Sequence, residues 1–159
     1  RSVAFIGPTM KYNGVIRHRF DGFASVLRVN DMEIRSEHIF EIKSDVRQEA
    51  IIALGKHIAS MKKEFSAIFI TSDQIASYIV QGLISEGVSV PDEMSVIGFD
   101  NLEICRQISP QLTTIAQDLN QKAHFAVSTL FQRLTDSSLP AQSMVLDVEL
   151  VERASVVQK

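Results

Sequence analysis

The strongest constraint on the fold is a set of four short apolar runs in the first hundred residues. Each run has the length of one β-strand and is almost continuously apolar, which is typical of strands buried on both faces of a parallel sheet. The segments between the runs carry apolar residues three or four positions apart, the spacing of amphipathic helices. The runs occupy residues 3–6, 38–42, 67–71 and 95–99.

This alternation of strands and helices predicts an α/β fold built on a doubly wound parallel sheet. Right-handed crossovers place helices on both faces of such a sheet, so three layers are expected. Helix boundaries have their own signals. The Asp45 and Gln48 pair resembles a capping box, residues 71–74 offer a second cap, and Gly87 stands where a helix commonly ends in the left-handed conformation.

The regular alternation changes after residue 100. Residues 101–107 predict a turn or a short helix that ends before Pro110, and an extended segment follows at 112–115. The pair Asp118 and Gln121 predicts the start of another helix, and alternating residues at 144–151 predict a last strand. One side of this helix is apolar, with Leu119, Ala123, Ala126, Val127, Leu130 and Leu134.

Composition limits the class of protein. A chain of 159 residues that is 45% hydrophobic can build one ordinary core, and a net charge of -3 provides no general attraction for nucleic acid. The single Cys105 excludes an intramolecular disulfide, which fits a reducing, cytoplasmic environment. No apolar run is long enough to cross a membrane. Because the chain starts at Arg1, shortly before a strand, we expect the natural protein to extend further upstream.

Polar residues follow the predicted strands at the edge where open α/β sheets bind ligands. Asp100 follows the fourth strand, Ser72 and Asp73 follow the third, and Arg19 lies early in the first helix. A carboxylate and a guanidinium together can clamp adjacent hydroxyls or a carboxylate of a small polar ligand. The alternatives stay open: Asp100 can cap the next short helix, and Arg19 can be a solvated charge or pair with Asp21 or Asp100.

Signatures of catalysis are missing from the sequence. It contains no glycine-rich phosphate loop, no nucleophile elbow, and no metal-binding spacing among its four histidines. Ser72 beside Asp73 is better explained by helix capping than by nucleophilic chemistry, and Cys105 by packing. We therefore predict no catalytic residue, no metal and no cofactor.

Several motifs resemble the effector-binding region of the LacI/GalR family of bacterial transcription regulators. The resemblance covers nearly the whole chain, and the IGFD and LTTI elements occur at the expected separation. The motifs are FIGP with RHRFDGF, AIFITSDQIASYIVQGLISEG, VPDEMSVIGFDN, SPQLTTIAQD and ELVERAS.

The resemblance implies a fold like that of periplasmic sugar-binding proteins, in which two α/β subdomains joined by three crossovers enclose the effector. Residues 1–159 then form the C-terminal part of that effector-binding domain, a type I subdomain. Residues 118–140 would belong to the partner subdomain, and operator DNA would be bound only through an upstream helix-turn-helix. The implied function is a repressor that senses a sugar or a sugar derivative.

The resemblance also carries effector-binding roles onto individual positions. Ser72 stands where many family members have an asparagine that holds sugar hydroxyls, and the shorter serine side chain would reach less far towards the effector. Phe40, or its neighbour Glu41, falls near a position often held by a stacking aromatic residue. Asn13 lies in a loop that often contacts the effector, and Gln117 matches a crossover residue. The full set of predicted effector-binding residues is Arg19, Asp100, Ser72, Gln117, Asn13 and Phe40.

A homodimer is the remaining implication of the resemblance. Residues 75–85 and 104–108 would form part of a two-fold interface, an arrangement common in soluble oligomers. The interface residues expected on this basis are Tyr78, Ile79, Ile104 and Ile108. The alternative stays open that Tyr78, Ile79 and Ile104 are simply core residues. Two rival functions remain, a periplasmic sugar-binding protein of a transport or chemotaxis system and an α/β enzyme on a similar sheet.

Overall fold

The structure is a computed structural model that describes residues 2–12, 14–43 and 45–157. In these segments, strands and helices alternate as the apolar runs predict. The strands are β1 (Val3–Pro8), β2 (Ile39–Ile42), β3 (Ala67–Ile70), β4 (Ser95–Phe99), β5 (Thr113–Gln117) and β6 (Val148–Val151). The helices are α1 (Gly14–Val29), α2 (Gln48–Ala59), α3 (Asp73–Ser85), α4 (Ile104–Gln107) and α5 (Leu119–Thr135), with short 3-10 helices at Met10–Tyr12 and Ser36–His38.

The six strands form one sheet in the order β2-β1-β3-β4-β5-β6. The first five strands of this order run parallel, whereas β6 is antiparallel to β5, with Ile115 opposite Leu150. The predicted doubly wound α/β sheet is confirmed. The last strand is shorter than predicted, because only Val148–Val151 of residues 144–151 pairs with β5.

The two faces of the sheet are covered by different helices. Ile6 of β1 and Ile68 of β3 are fully buried in the core cluster that α2 and α3 complete. On the other face, the ring of Phe5 lies 5.1 Å from that of Phe20 and 5.3 Å from that of Phe23, both on α1. Alternation of side chains along each strand therefore produces the three predicted layers.

The predicted helix boundaries have mixed outcomes. Asp118 caps α5 by accepting a hydrogen bond from the Gln121 amide at 2.9 Å, and Gly87 has a φ of 77° after α3. The capping box at Asp45 is wrong, because Gln48 is the first residue of α2 and the N-cap is Arg47, without a side-chain cap. A capping box needs the glutamine in the third helical position, so this pair is out of register.

Helix α5 has no buried residue. Its apolar side chains are open to solvent, and Leu134 is 72% exposed. The apolar face predicted for this helix therefore has no cover within the described chain. No helix among the described residues has the length and apolarity needed to span a membrane.

Helices α2 and α3 touch through two glycines. A Cβ atom added to Gly55 would lie 2.6 Å from the carbonyl oxygen of Ile79, and one added to Gly82 would lie 2.8 Å from the Cα of Gly55 and closer still to the carbonyl oxygen of Ile52. These neighbours are backbone atoms, which cannot move aside as a flexible side chain can. The two glycines thus set the distance between the helices behind the sheet.

We expect Gly82→Ala to lower the free energy of unfolding by about 1–3 kcal/mol, because the added methyl group forces the helices apart. The matched control is Gly22→Ala in the exposed interior of α1, where a Cβ meets no atom within 4 Å. Alanine should stabilise that position by roughly 0.5–1 kcal/mol through its higher helix propensity. Urea unfolding measures both changes, and a stabilised Gly82→Ala variant would contradict the close-packing argument.

Candidate functional site

The chain turns sharply at the carboxyl end of β4, where Asp100 has a φ of 110° and Asn101 a φ of 54°. The Asp100 amide donates to the carbonyl oxygen of Ile115 on β5 at 2.9 Å. Its side chain does not cap α4, whose N-cap is Glu103 without a side-chain hydrogen bond. The open choice between a cap and a group facing the sheet edge is therefore decided against the cap.

The Asp100 carboxylate joins residues from two other elements. Its Oδ1 accepts a hydrogen bond from Gln117 Nε2 at 2.6 Å and one from Arg19 Nη2 at 3.4 Å. Gln117 is the last residue of β5, and Arg19 lies on α1. Three of the predicted effector-binding residues therefore meet at one point on the edge of the sheet.

Arg19 is an anchored residue, with only 16% of its side chain exposed. Its Nη1 donates to the carbonyl oxygen of Thr71 at 2.5 Å, and its guanidinium carbon lies 3.7 Å from the centroid of the Phe99 ring. This stacking is a cation–π contact that fixes the plane of the guanidinium. The alternative pairing with Asp21 does not occur, because Asp21 pairs with Arg17 at 3.1 Å.

Lys122 is a fourth polar residue at this point, and it is not among the residues predicted from the sequence. Its Nζ lies 3.4 Å from Gln117 Oε1. Its position in the first turn of α5, one helical turn after the Asp118 cap, is the signal that would have found it. Through its contact with Gln117 it adds a second cation to the cluster, so Arg19 and Lys122 together outnumber the one carboxylate of Asp100.

The other predicted effector-binding residues are placed less uniformly. Ser72 is the half-exposed N-cap residue of α3, directly after Thr71, and its hydroxyl makes no capping hydrogen bond. Phe40 is not brought to the Arg19 and Asp100 pair, since it packs against the core with its ring 6.3 Å from that of Phe65. Asn13 lies outside the described residues.

Glu41, the alternative to Phe40, accepts a hydrogen bond from the Met10 amide at 3.1 Å. Successive strand residues point to opposite faces, so Glu41 faces away from the core that holds Phe40. Strand β2 therefore presents the carboxylate of Glu41, and not an aromatic ring, to the loop after β1.

Asp73 is fully buried behind the turn. Its Oδ2 accepts from the Leu102 amide at 2.8 Å, and its Oδ1 accepts from the Thr114 hydroxyl at 2.6 Å. The prediction that Asp73 caps α3 is wrong, because its carboxylate points at β4 and β5. Gly98 makes room for it, since a Cβ at that position would collide with Asp73 Oδ1.

Cys105 lies beside this buried carboxylate. Burial raises the pKa of the Cys105 thiol to about 12, and a hydrogen bond with Asp73 adds to the effect. A thiol with so high a pKa stays protonated and unreactive at neutral pH. The interpretation of Cys105 as an ordinary packed thiol agrees with this environment.

The residues predicted for a dimer interface divide into two groups. Tyr78, Ile104 and Ile108 line a groove of about 510 Å³ between α3 and α4. Ile79 is fully buried in the core, where its carbonyl oxygen faces Gly55. The prediction is therefore wrong for Ile79, because its side chain is fully buried in the core and presents no surface to a partner.

No metal centre is visible among the described residues, which contain no group of three or more His, Cys, Asp or Glu side chains able to hold an ion. The polar cluster at Asp100 combines one carboxylate with two cations and an amide. This set suits hydrogen bonding to hydroxyl or acidic groups of a ligand.

Residues 1–156 match the family model of the periplasmic binding protein-like domain. The chain belongs to this family. The repressor PurR of Glaesserella parasuis serovar 5 (strain SH0165) is 32% identical over 162 residues, which cover 98% of this chain and 47% of that protein. The regulator MalR of Clostridium butyricum is 33% identical over 144 residues, which cover 89% of this chain and 42% of that protein. The chain thus spans about half the length of these curated relatives.

Solved structures show the same periplasmic binding protein-like fold. The regulator CcpA of Lactococcus lactis superposes with a TM-score of 0.86 at 21% identity, over 98% of this chain and 56% of that one. A LacI family regulator from Enterococcus faecium, solved with bound ribose, superposes with a TM-score of 0.78 at 25% identity, over 98% of this chain and 56% of that one. The resemblance to LacI-type regulators is confirmed.

The raised pKa of Cys105 makes a prediction about its reactivity. At about pH 8, a disulfide reagent such as DTNB should modify native Cys105 about a thousandfold more slowly than free cysteine, whose pKa of about 8.5 leaves a substantial thiolate fraction. In guanidinium chloride the rate should match that of free cysteine. Rapid and complete modification of the native protein would show that the thiol is neither buried nor protonated.

Proposed function

We propose that this chain is the C-terminal part of the effector-binding domain of a transcriptional repressor that senses a sugar or a sugar derivative. The observation that carries the proposal is the Asp100 carboxylate, held between Arg19 on α1 and Gln117 on β5. Ser72 completes the proposed site from the start of α3. All four residues lie at the carboxyl edge of the parallel sheet, where open α/β sheets bind their ligands.

The chemistry of the cluster suits hydroxyl-rich ligands. A carboxylate accepts two hydrogen bonds from neighbouring hydroxyls, and a guanidinium donates a fixed pair in its own plane. The Phe99 ring holds that plane before a ligand arrives, so less ordering is needed on binding. Structures related in fold contain sucrose, ribose and, in the regulator CelR, cellobiose. Those ligands support a sugar as the effector class for this chain.

The second half of the binding cleft would come from a partner subdomain that includes residues 118–140. Helix α5 supports this division, because its apolar side chains find no cover on the described sheet. Gln117 and Lys122 lie where the chain leaves β5 for α5. An effector that touches Asp100 and Gln117 would thus contact the crossover between subdomains and favour a closed cleft.

Regulation requires the effector to bind one cleft conformation better than the other. A tenfold difference in affinity corresponds to roughly 1.4 kcal/mol of coupling free energy. Operator DNA would be bound by an upstream helix-turn-helix, and a net charge of -3 on this chain agrees with its taking no part in that contact. This role places the protein in the cytoplasm and requires no cofactor, membrane or catalytic residue.

A periplasmic sugar-binding protein of a transport or chemotaxis system is the alternative function on this fold. The relatives favour the repressor, because PurR and MalR are named as transcriptional regulators at 32% and 33% identity. The same relatives disfavour an enzyme on a similar sheet.

A homodimer through the groove between α3 and α4 is part of the proposal. Tyr78, Ile104 and Ile108 line this groove, and Ile84 at its rim is 44% exposed. Exposed apolar side chains gathered around a groove favour association with a partner surface. A two-fold axis at this position would bring the same groove from both subunits together.

The effector site is tested by calorimetric titration of the intact protein with ribose, sucrose, cellobiose and acidic sugars. We expect Arg19→Ala and Asp100→Ala each to weaken binding of the best sugar by about 10- to 150-fold, because each removes hydrogen bonds to a charged group worth about 1.5–3 kcal/mol. The effect should be larger than that of Ser72→Ala, which removes a neutral hydroxyl.

Matched controls are available for both charges. Arg17→Ala removes an exposed arginine one half-turn away on the same helix, and Asp92→Ala removes an exposed aspartate whose carboxylate accepts a hydrogen bond from the Ser89 hydroxyl. Both controls should bind the sugar like the wild type. Unchanged affinity in Arg19→Ala and Asp100→Ala together would refute the assignment of the site.

The dimer is tested by Ile84→Asp in the intact protein, measured by sedimentation velocity. We expect a shift from dimer to monomer, since burying an unpaired carboxylate in an apolar interface costs several kcal/mol, on the order of the penalties known for buried charges. Val26→Asp is the control, because Val26 is 61% exposed on α1, on the other side of the sheet. Dimers that persist equally in both variants would place the interface elsewhere.

A further inference from the structure

The turn that presents Asp100 is held from outside the binding cluster. Two consecutive residues, Asp100 and Asn101, have positive φ values of 110° and 54°. Neither is a glycine, so this backbone persists only where surrounding contacts hold it. The contacts that hold it come from two places in the chain.

The first contact comes from α3, behind the sheet. Asp73 Oδ2 accepts from the Leu102 amide at 2.8 Å, directly after the two strained residues. Asp73 Oδ1 accepts from the Thr114 hydroxyl at 2.6 Å, and the Thr114 oxygen in turn accepts from the Asn101 amide at 3.4 Å. One buried carboxylate therefore fixes two successive amides of the turn, one directly and one through a hydroxyl.

The second contact comes from the segment after β6. Arg153 Nη2 donates to Asn101 Oδ1 at 2.7 Å, while its Nη1 donates to the carbonyl oxygen of Leu112 at 2.6 Å. Its own amide donates to the Thr113 hydroxyl at 2.9 Å. The guanidinium thus ties the Asn101 side chain to the start of β5 and prevents the turn from rotating.

We propose that Asp73 and Arg153 are positioning residues that aim the Asp100 carboxylate at Arg19 and Gln117. The inference deepens the proposed effector site and rests on it for the role of Asp100 in binding. Rotation of the Asp100 backbone to an ordinary negative φ would swing its side chain away from Gln117 Nε2, which now lies 2.6 Å from Oδ1. The two residues act through the turn and not by touching the ligand.

The identity of Asn101 follows from the same geometry. Asparagine and aspartate tolerate the left-handed conformation better than other residues with a side chain. An oxygen at Oδ1 is also needed to accept from Arg153. Asn101→Asp keeps both properties and strengthens the pair with Arg153, whereas Asn101→Ala removes the acceptor.

The test uses crystal structures of the intact protein carrying Asp73→Ala, Arg153→Met or Asn101→Ala, compared with the conservative Asn101→Asp. We expect the first three variants to lose the positive φ at Asp100 and the hydrogen bond from Gln117 to Asp100, and Asn101→Asp to keep both. This measurement needs no ligand. If Asp73→Ala does not fold, Arg153→Met and Asn101→Ala decide the question, and a retained turn in both would overturn the inference.

Binding of ribose, sucrose and cellobiose then separates positioning from stability. For the sugar that the wild type binds best, Arg153→Met and Asn101→Ala should weaken binding about tenfold or more, with Asn101→Asp within about twofold of the wild type. Ile68→Val, a core change in β3 that lowers the melting temperature without touching the turn, should leave affinity unchanged. An equal loss of sugar affinity in Ile68→Val would show that lowered stability alone explains the effect, and it would overturn the positioning role.

The two proposals fail in different ways. If none of the three sugars binds the wild type, the sugar as effector class is in error, while the variant structures still decide whether Asp73 and Arg153 hold the turn. If sugars bind and the turn is lost without loss of affinity, Asp100 is not the binding group.

Discussion

The site depends on one constraint, a left-handed turn that aims the carboxylate of Asp100 along the edge of the sheet. Parallel order in β1, β3, β4 and β5 brings the ends of these strands to that edge. Arg19 reaches it from α1, and Gln117 reaches it from β5. The turn thus gives these two polar residues a common acceptor, Asp100 Oδ1.

The fold can be predicted from the sequence because buried strands and helices require a periodic pattern of apolar residues. Runs such as residues 67–71 and 95–99 show strands buried on both faces, and their order defines the sheet. The site residues Arg19, Asp100 and Gln117 can be predicted from the sequence, because they stand at strand ends or within recognisable motifs. The role of Asp73 cannot, since its partners Leu102 and Thr114 lie 29 and 41 residues away, a separation that leaves no local pattern.

The errors share a physical cause. The sequence predicts caps at Asp45 and Asp73 because short acidic side chains commonly cap helices. A side chain caps a helix only from the N-cap position, however, and the N-caps of α2 and α3 are Arg47 and Ser72. Ile79 and its neighbour Tyr78 are adjacent on α3 but point in different directions, one into the core and one into the groove. Phe40 and Glu41 divide in the same way across a strand.

In the proposed site, Arg19 and Asp100 act as one unit in binding a sugar. A double-mutant cycle, with calorimetric affinities for the wild type, Arg19→Ala, Asp100→Ala and the double variant of the intact protein, measures this directly. We expect the double variant to lose little more affinity than the worse single variant, with a coupling energy of about 1–3 kcal/mol. If the losses of the two single variants add to that of the double variant within roughly 0.5 kcal/mol, the two residues act independently and do not form one binding unit.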